Sequence, residues 1–124
     1  MSSRHKRLSN SERKSKGKAG EDLAVSWLVE RGHEILERNY RIGRLEVDII
    51  TLVDNQLLVF TEVKWRKRDH FGSPEEFASE EQQARIIQAA EEYIHGINWS
   101  GDIRFDIISI QSDGEIQHFK DAFY

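Results

Sequence analysis

The 124-residue sequence contains no cysteine. Disulfides and thiolate-bound metals are therefore excluded, and a reducing, cytoplasmic setting is the expectation. No apolar run approaches the roughly 20 residues that cross a bilayer, so no membrane association is expected. The N-terminal MSSRHKRLSNSERKSKGK lacks the apolar segment of a secretory signal. The five histidines are scattered, with no His-x-x-x-His pair, which argues against a zinc site. There is no glycine-rich phosphate loop, and neither Ser109 nor Ser112 has an evident base.

What is present is charge, unevenly spread. Residues 1–18 carry seven Lys or Arg against one acidic residue, a net of +6. Residues 19–124 carry eleven basic and twenty-one acidic residues, a net of −10. An acidic body does not advertise nucleic acid, so any binding of it must come from local patches, the tail included. The other reading of the tail is a solubilising arm. Residues 1–15 are polar and aperiodic and are expected to be disordered, with residues 16–124 forming a single domain.

Apolar spacing predicts a helix over Gly17 to Arg31, with Leu23, Ala24, Trp27 and Leu28 on one stripe and Gly32 as its stop. Short strands are expected at His33 to Arg38 and Leu45 to Leu52. A third, Leu57 to Trp65, follows the turn Asp54-Asn55-Gln56. The segment Asp69 to Ser79 reads as a loop or a short turn of helix. Ser79 with Gln82 resembles a capping box that opens a second helix, whose apolar face is Ile86, Ile87, Ala90 and Ile94 and whose stop is Gly96. Strands at Ile103 to Ile110 and Glu115 to Phe119 complete an α-β-β-β-α-β-β order. A crossover helix makes the strand at Ile103 return parallel to the one at Leu57, so the fold class is α/β with a mixed sheet flanked by helices. Trp27, Trp65 and Trp99 read as packing residues rather than base-stacking platforms.

The chemistry concentrates in FTEVKWRKR, residues 60–68. Side chains alternate across a strand, so Glu62 and Lys64 share one face. A three-residue turn sets Val53 opposite Leu57 and carries Asp48 to a position across from Glu62. Opposed carboxylates destabilise a sheet pair by about 0.2–1 kcal/mol. A divalent cation such as Mg²⁺ or Mn²⁺ reverses that sign, because it takes one or two carboxylates, with water and phosphate completing its shell. Lys64 is then placed to hold a water or a developing phosphoryl charge. The plain alternative is a solvated strand face. Arg66, Lys67 and Arg68, with Arg41 and Arg44 before the Asp48 strand, are candidate phosphate contacts or an exposed basic loop.

Asp48 followed by Glu62-Val63-Lys64 resembles the PD-(D/E)XK nuclease core, which has the same α-β-β-β-α-β order. The closer resemblance is to the YraN-like family of small bacterial proteins. It runs from GKAGEDLA through ERNYR, VDII, LLVFTEVKWR and FGSPEE to RFDIISI and FKDAF. The helix carrying Glu21 is also similar to one in archaeal Holliday-junction resolvases. The resemblance implies a restriction-endonuclease-like fold and a metal-dependent endonuclease acting on DNA, including branched forms. It implies Glu21, Asp48 and Glu62 as metal ligands, Lys64 as the catalytic lysine and Gln82 as a polar active-site residue. It also implies a symmetric homodimer if the resolvase analogy holds. Two departures stand out: Leu45, where relatives usually have glycine and a side chain would crowd the backbone near the metal, and Gln82, around which relatives often carry a basic residue whose loss would weaken phosphate contact. Helical spacing separately places Glu21 on the face of Leu28, where a carboxylate needs a partner. The competing readings are a nucleic-acid-binding protein that keeps the fold with little catalysis, and an adaptor that meets a partner through its acidic second helix.

Overall fold

A computed structural model describes residues 10–66 and 78–124, with side chains from Gly17 onward. Its first element, α1, runs Asn10–Glu30, so the helix begins at Asn10 rather than Gly17. The added residues are polar and create no apolar period, which is why spacing alone misses them. Gly32, at φ +90°, turns the chain out of the helix, a conformation costly for any residue with a Cβ. Of the predicted stripe, Ala24 and Leu28 are buried, whereas Leu23 is exposed.

The strands are β1 (His33–Ile42), β2 (Leu45–Val53) and β3 (Leu57–Arg66). The second helix, α2 (Glu80–Ile97), leads to β4 (Asp102–Gln111) and β5 (Ile116–Phe119). The sheet order is β1-β2-β3-β4-β5. β3 and β4 are parallel and the other pairs antiparallel, as a crossover through α2 requires. The order α-β-β-β-α-β-β is the expected one. The loop expected over 69–79 lies outside the described residues as far as 77. No described helix is long and apolar enough to cross a membrane.

Each helix covers one face of the sheet. Ala24 and Leu28 of α1 pack on Ile49, Ile108 and Ile110. Ile86, Ala89, Ala90 and Tyr93 of α2 pack on Ile50, Leu58, Phe60, Phe105 and Ile107. Burying each large side chain contributes about 1.5–3 kcal/mol, so the two apolar layers fix which strand faces point where. Leu45, the position where glycine was expected, packs against the α2-side layer. α2 begins at Ser79, whose Oγ accepts from the Gln82 N–H at 3.1 Å. It runs past Gly96 and is capped by Asn98 in the left-handed region, φ 56°. Asparagine tolerates that conformation, so the predicted glycine stop was not needed.

Candidate functional site

The β2–β3 turn is the expected three-residue one. Val53 lies opposite Leu57, and the Gln56 N–H donates to the Val53 carbonyl at 3.1 Å. Asp54 and Asn55 take φ of 53° and 57°, which these residue types tolerate. The ladder then runs in register to Ile49↔Thr61 and stops. Asp48 and Glu62 would be the next pair.

Two local irregularities explain the stop. Ile50 belongs to the α2-side layer and Ile49 to the α1-side layer, yet Val47 also packs on the α2 side. Strict alternation therefore fails between Val47 and Ile50, and Asp48 sits at the break. On β1, Asn39 lies between the pairs Arg38↔Ile49 and Tyr40↔Val47 and has φ 54°. With pairing interrupted, the Val63 N–H donates to Asp48 Oδ2 at 2.8 Å. Breaks of this kind re-aim a side chain.

Glu62, 8% exposed, faces α2. Gln82 Nε2 donates to Glu62 Oε2 at 2.6 Å, and Lys64 Nζ donates to Gln82 Oε1 at 2.9 Å. Lys64 Nζ also lies 2.9 Å from Glu62 Oε2, closing a triangle. Gln82 thus spends its side chain on β3, and only the Ser79 half of the expected capping box forms. The Asp48 carboxyl is pushed up to about 8. Burial is the main cause, the adjacent Glu62 charge is second, and the Val63 hydrogen bond opposes both. A carboxyl destabilised in this way, beside a second carboxylate, is a donor set that a cation would relieve. Asp48, Glu62, Gln82, Arg44 and Arg85 line a cavity of about 140 Å³. That is room for an ion with several waters at ~30 Å³ each.

Glu21 points elsewhere. Its Oε1 accepts from Arg38 Nε and from Asn39 Nδ2, both at 3.0 Å. Arg38 Nη2 lies 2.9 Å from Glu21 and donates to Asp22 Oδ1 at 2.6 Å. Among the described residues no three carboxylates or imidazoles gather to hold one ion, so the expected three-carboxylate group is not assembled. Physically, the guanidinium fork and the amide already neutralise Glu21 and satisfy its oxygen. Glu21 and Asp48 nonetheless line one cavity of about 530 Å³, together with Lys18, Arg38 and Asn39.

The basic candidates divide. Arg44 lines the smaller cavity. Arg41 is exposed and paired with Glu46 at 2.7 Å. Arg66 ends β3. Lys67 and Arg68 lie outside the described residues. Arg38, Asn39 and Arg85 were not anticipated. ERNYR stood out as a motif, but nothing in its spacing assigns a role to Arg38 or Asn39.

A second buried polar cluster lies on the α1 face. Asp106, fully buried, accepts from Arg104 Nε and Nη2, both at 2.8 Å, and from the Asp121 N–H at 3.0 Å. His118 Nε2 lies 2.8 Å from Asp106 Oδ2, and Trp27 Nε1 donates to His118 Nδ1 at 3.2 Å. With Nδ1 accepting, Nε2 carries the proton and donates to the carboxylate. Trp27 is thus a packing and anchoring residue, as read from the sequence.

With this geometry in view, likeness to known proteins is informative. The model of the uncharacterised protein family UPF0102 matches residues 20–110. A UPF0102 protein of Cytophaga hutchinsonii is 42% identical over 107 residues, covering 86% of this chain and 94% of that one. One from Clostridium perfringens is 42% identical over 116 residues, covering 89% and 94%. A solved structure of Pyrococcus furiosus SfsA in complex with Ca²⁺ shares 14% identity at a TM-score of 0.28, covering 88% of this chain and 64% of that one. At that level it bears on neither fold nor function. The curated relatives match almost end to end, as the YraN-like motifs led one to expect, and the chain belongs to the UPF0102 family.

Proposed function

We propose that Asp48, Glu62, Lys64 and Gln82 form the active site of a divalent-cation-dependent DNA endonuclease that hydrolyses phosphodiester bonds. The observation that carries this reading is the half-buried Asp48 carboxyl, which accepts from the Val63 N–H at 2.8 Å beside buried Glu62, with the Lys64 ammonium 2.9 Å from Glu62. Asp48 and Glu62 would hold the cation, which when bound supplies charge neutralisation and polarises a phosphoryl oxygen. Lys64 is positioned to orient a water or to stabilise charge on the phosphoryl oxygens. Gln82 positions Lys64 and Glu62 by bonding both. Water oxygen bonds to phosphorus, the P–O3′ bond breaks, and the 3′-oxygen takes a proton, leaving a 3′-hydroxyl and a 5′-phosphate. Arg44 and Arg85 border the same cavity and are suited to flanking phosphates. Branched or junction DNA is the substrate form we favour, with a symmetric dimer presenting two sites to one junction.

A second reading, a DNA-binding protein with little catalysis, is favoured by one observation: Glu21 is engaged by Arg38 and Asn39 and does not join Asp48 and Glu62. A cleavage panel of duplex, flap, fork and four-way substrates in Mg²⁺ or Mn²⁺ separates the two. Cleavage lost in Glu62→Ala and in Lys64→Ala supports the enzyme. Salt-sensitive binding that survives both changes, with no cleavage by the native chain, supports the binding module.

A further inference from the structure

The larger cavity holds a contradiction. Glu21 and Asp48 both open into it, yet Glu21 is occupied by Arg38 and Asn39. The Glu21 side chain is only 12% exposed, so its charge needs a partner in every state. Arg38 is 37% exposed and bridges two carboxylates, Glu21 and Asp22. Lys18 stands on the same cavity wall. A volume of about 530 Å³ lies within the range of about 300–1,000 Å³ that takes a ligand of nucleotide size. A guanidinium, an ammonium and an amide around such a space match a phosphate, and the Arg fork binds phosphate as readily as carboxylate.

We propose that Arg38 is an exchangeable partner of Glu21. It holds Glu21 in the free protein and passes to a substrate phosphate in this cavity, releasing Glu21 toward a cation held by Asp48 and Glu62. The proposal rests on the phosphodiesterase reading above. Its consequence is coupling. Each ligand removes the competitor that opposes the other, so nucleic acid tightens metal binding and metal tightens nucleic-acid binding by the same factor. Arg38 is a positioning residue in this scheme. Asn39, held in a left-handed conformation, keeps its amide on Glu21 and is the smaller restraint.

The test is Mn²⁺ affinity measured calorimetrically on the full chain without nucleic acid. Arg38→Gln should tighten Mn²⁺ about five-fold or more, within the usual range of coupling. Asn39→Gly keeps the backbone conformation and should give a smaller gain in the same direction. Adding Glu21→Gln to Arg38→Gln should cancel the gain, which separates release of Glu21 from loss of a nearby positive charge. Arg31→Gln, a charge removed beside Glu30 at the other end of α1, should leave affinity near native. Mn²⁺ binding that depends on Asp48 but is unchanged or weaker in Arg38→Gln overturns this proposal and leaves the active-site reading standing. No Asp48-dependent Mn²⁺ binding overturns both.

Discussion

Asp48, half-buried, and Asp106, fully buried, are both carboxylates on inner strands of one sheet, and they have been treated in opposite ways. Asp106 meets Arg104, His118 and a backbone N–H. Burial pushes its carboxyl up, but those partners together outweigh burial and hold it below the usual range. Asp48 has one backbone donor and a second carboxylate for a neighbour, and it ends far above that range. Burial therefore does not mark function. A buried charge with every oxygen satisfied is part of the scaffold. A half-buried charge left beside its own kind is destabilising until something binds.

The comparison can be broken most severely at the chemistry. Lys64→Ala should lower cleavage by about 10²–10³-fold, and Glu62→Ala should remove it, while the unfolding temperatures of both stay near native. A cleavage rate unmoved by either change would make the α2-side group as structural as Asp106. Next in size, Asp106→Ala leaves Arg104 and His118 facing an empty site and should cost about 3–5 kcal/mol in denaturant unfolding. A loss below 1 kcal/mol would mean the cluster is not the scaffold element it appears in the geometry.

The pH dependence sharpens the contrast, because the two faces have opposite signs. The folded Asp48 carboxyl, raised from 3.8 to about 8, binds a proton that the unfolded chain has already lost. In metal-free protein this makes stability fall as pH rises between those values, and Asp48→Asn should abolish the fall. On the α1 face, burial holds His33 below its usual 6.5. That makes stability fall as pH drops through 6.5 toward the folded value. The depressed Asp106 adds a further loss once pH drops below 3.8. Chemical denaturation across pH, with Asp48→Asn alongside, checks both signs. The smallest effect is at Ser79. Ser79→Ala removes the α2 cap and should cost about 0.5–2 kcal/mol. It should also reduce cleavage, because the first turn of α2 positions Gln82.

Much of the α2-side site was legible because local rules fix it. Asp54 and Asn55 tolerate the turn, the turn length fixes parity, and parity points Asp48 toward Glu62. Ser79 starts the helix that delivers Gln82. What was not legible depends on contacts between distant elements. Helical spacing placed Glu21 on the sheet-facing stripe correctly, but the partner it finds there is Arg38, on a strand whose bulge between Ile35 and Glu37 no local signal announces. The break in alternation at Asp48 has the same character. The Asp106 cluster hid in RFDIISI, which reads as an ordinary strand until His118 and Trp27 arrive from 12 and 79 positions away. The helical start at Asn10 was missed because polar residues leave no period.

The central claim is that Asp48 is held ready for a cation and Asp106 is not. Mn²⁺ titrated calorimetrically near neutral pH, in buffers of different ionisation enthalpy, tests it directly. Binding with release of about one proton, lost in Asp48→Asn and kept in Asp106→Asn, is the predicted result. Binding that is indifferent to Asp48→Asn, or that releases no proton, would contradict it.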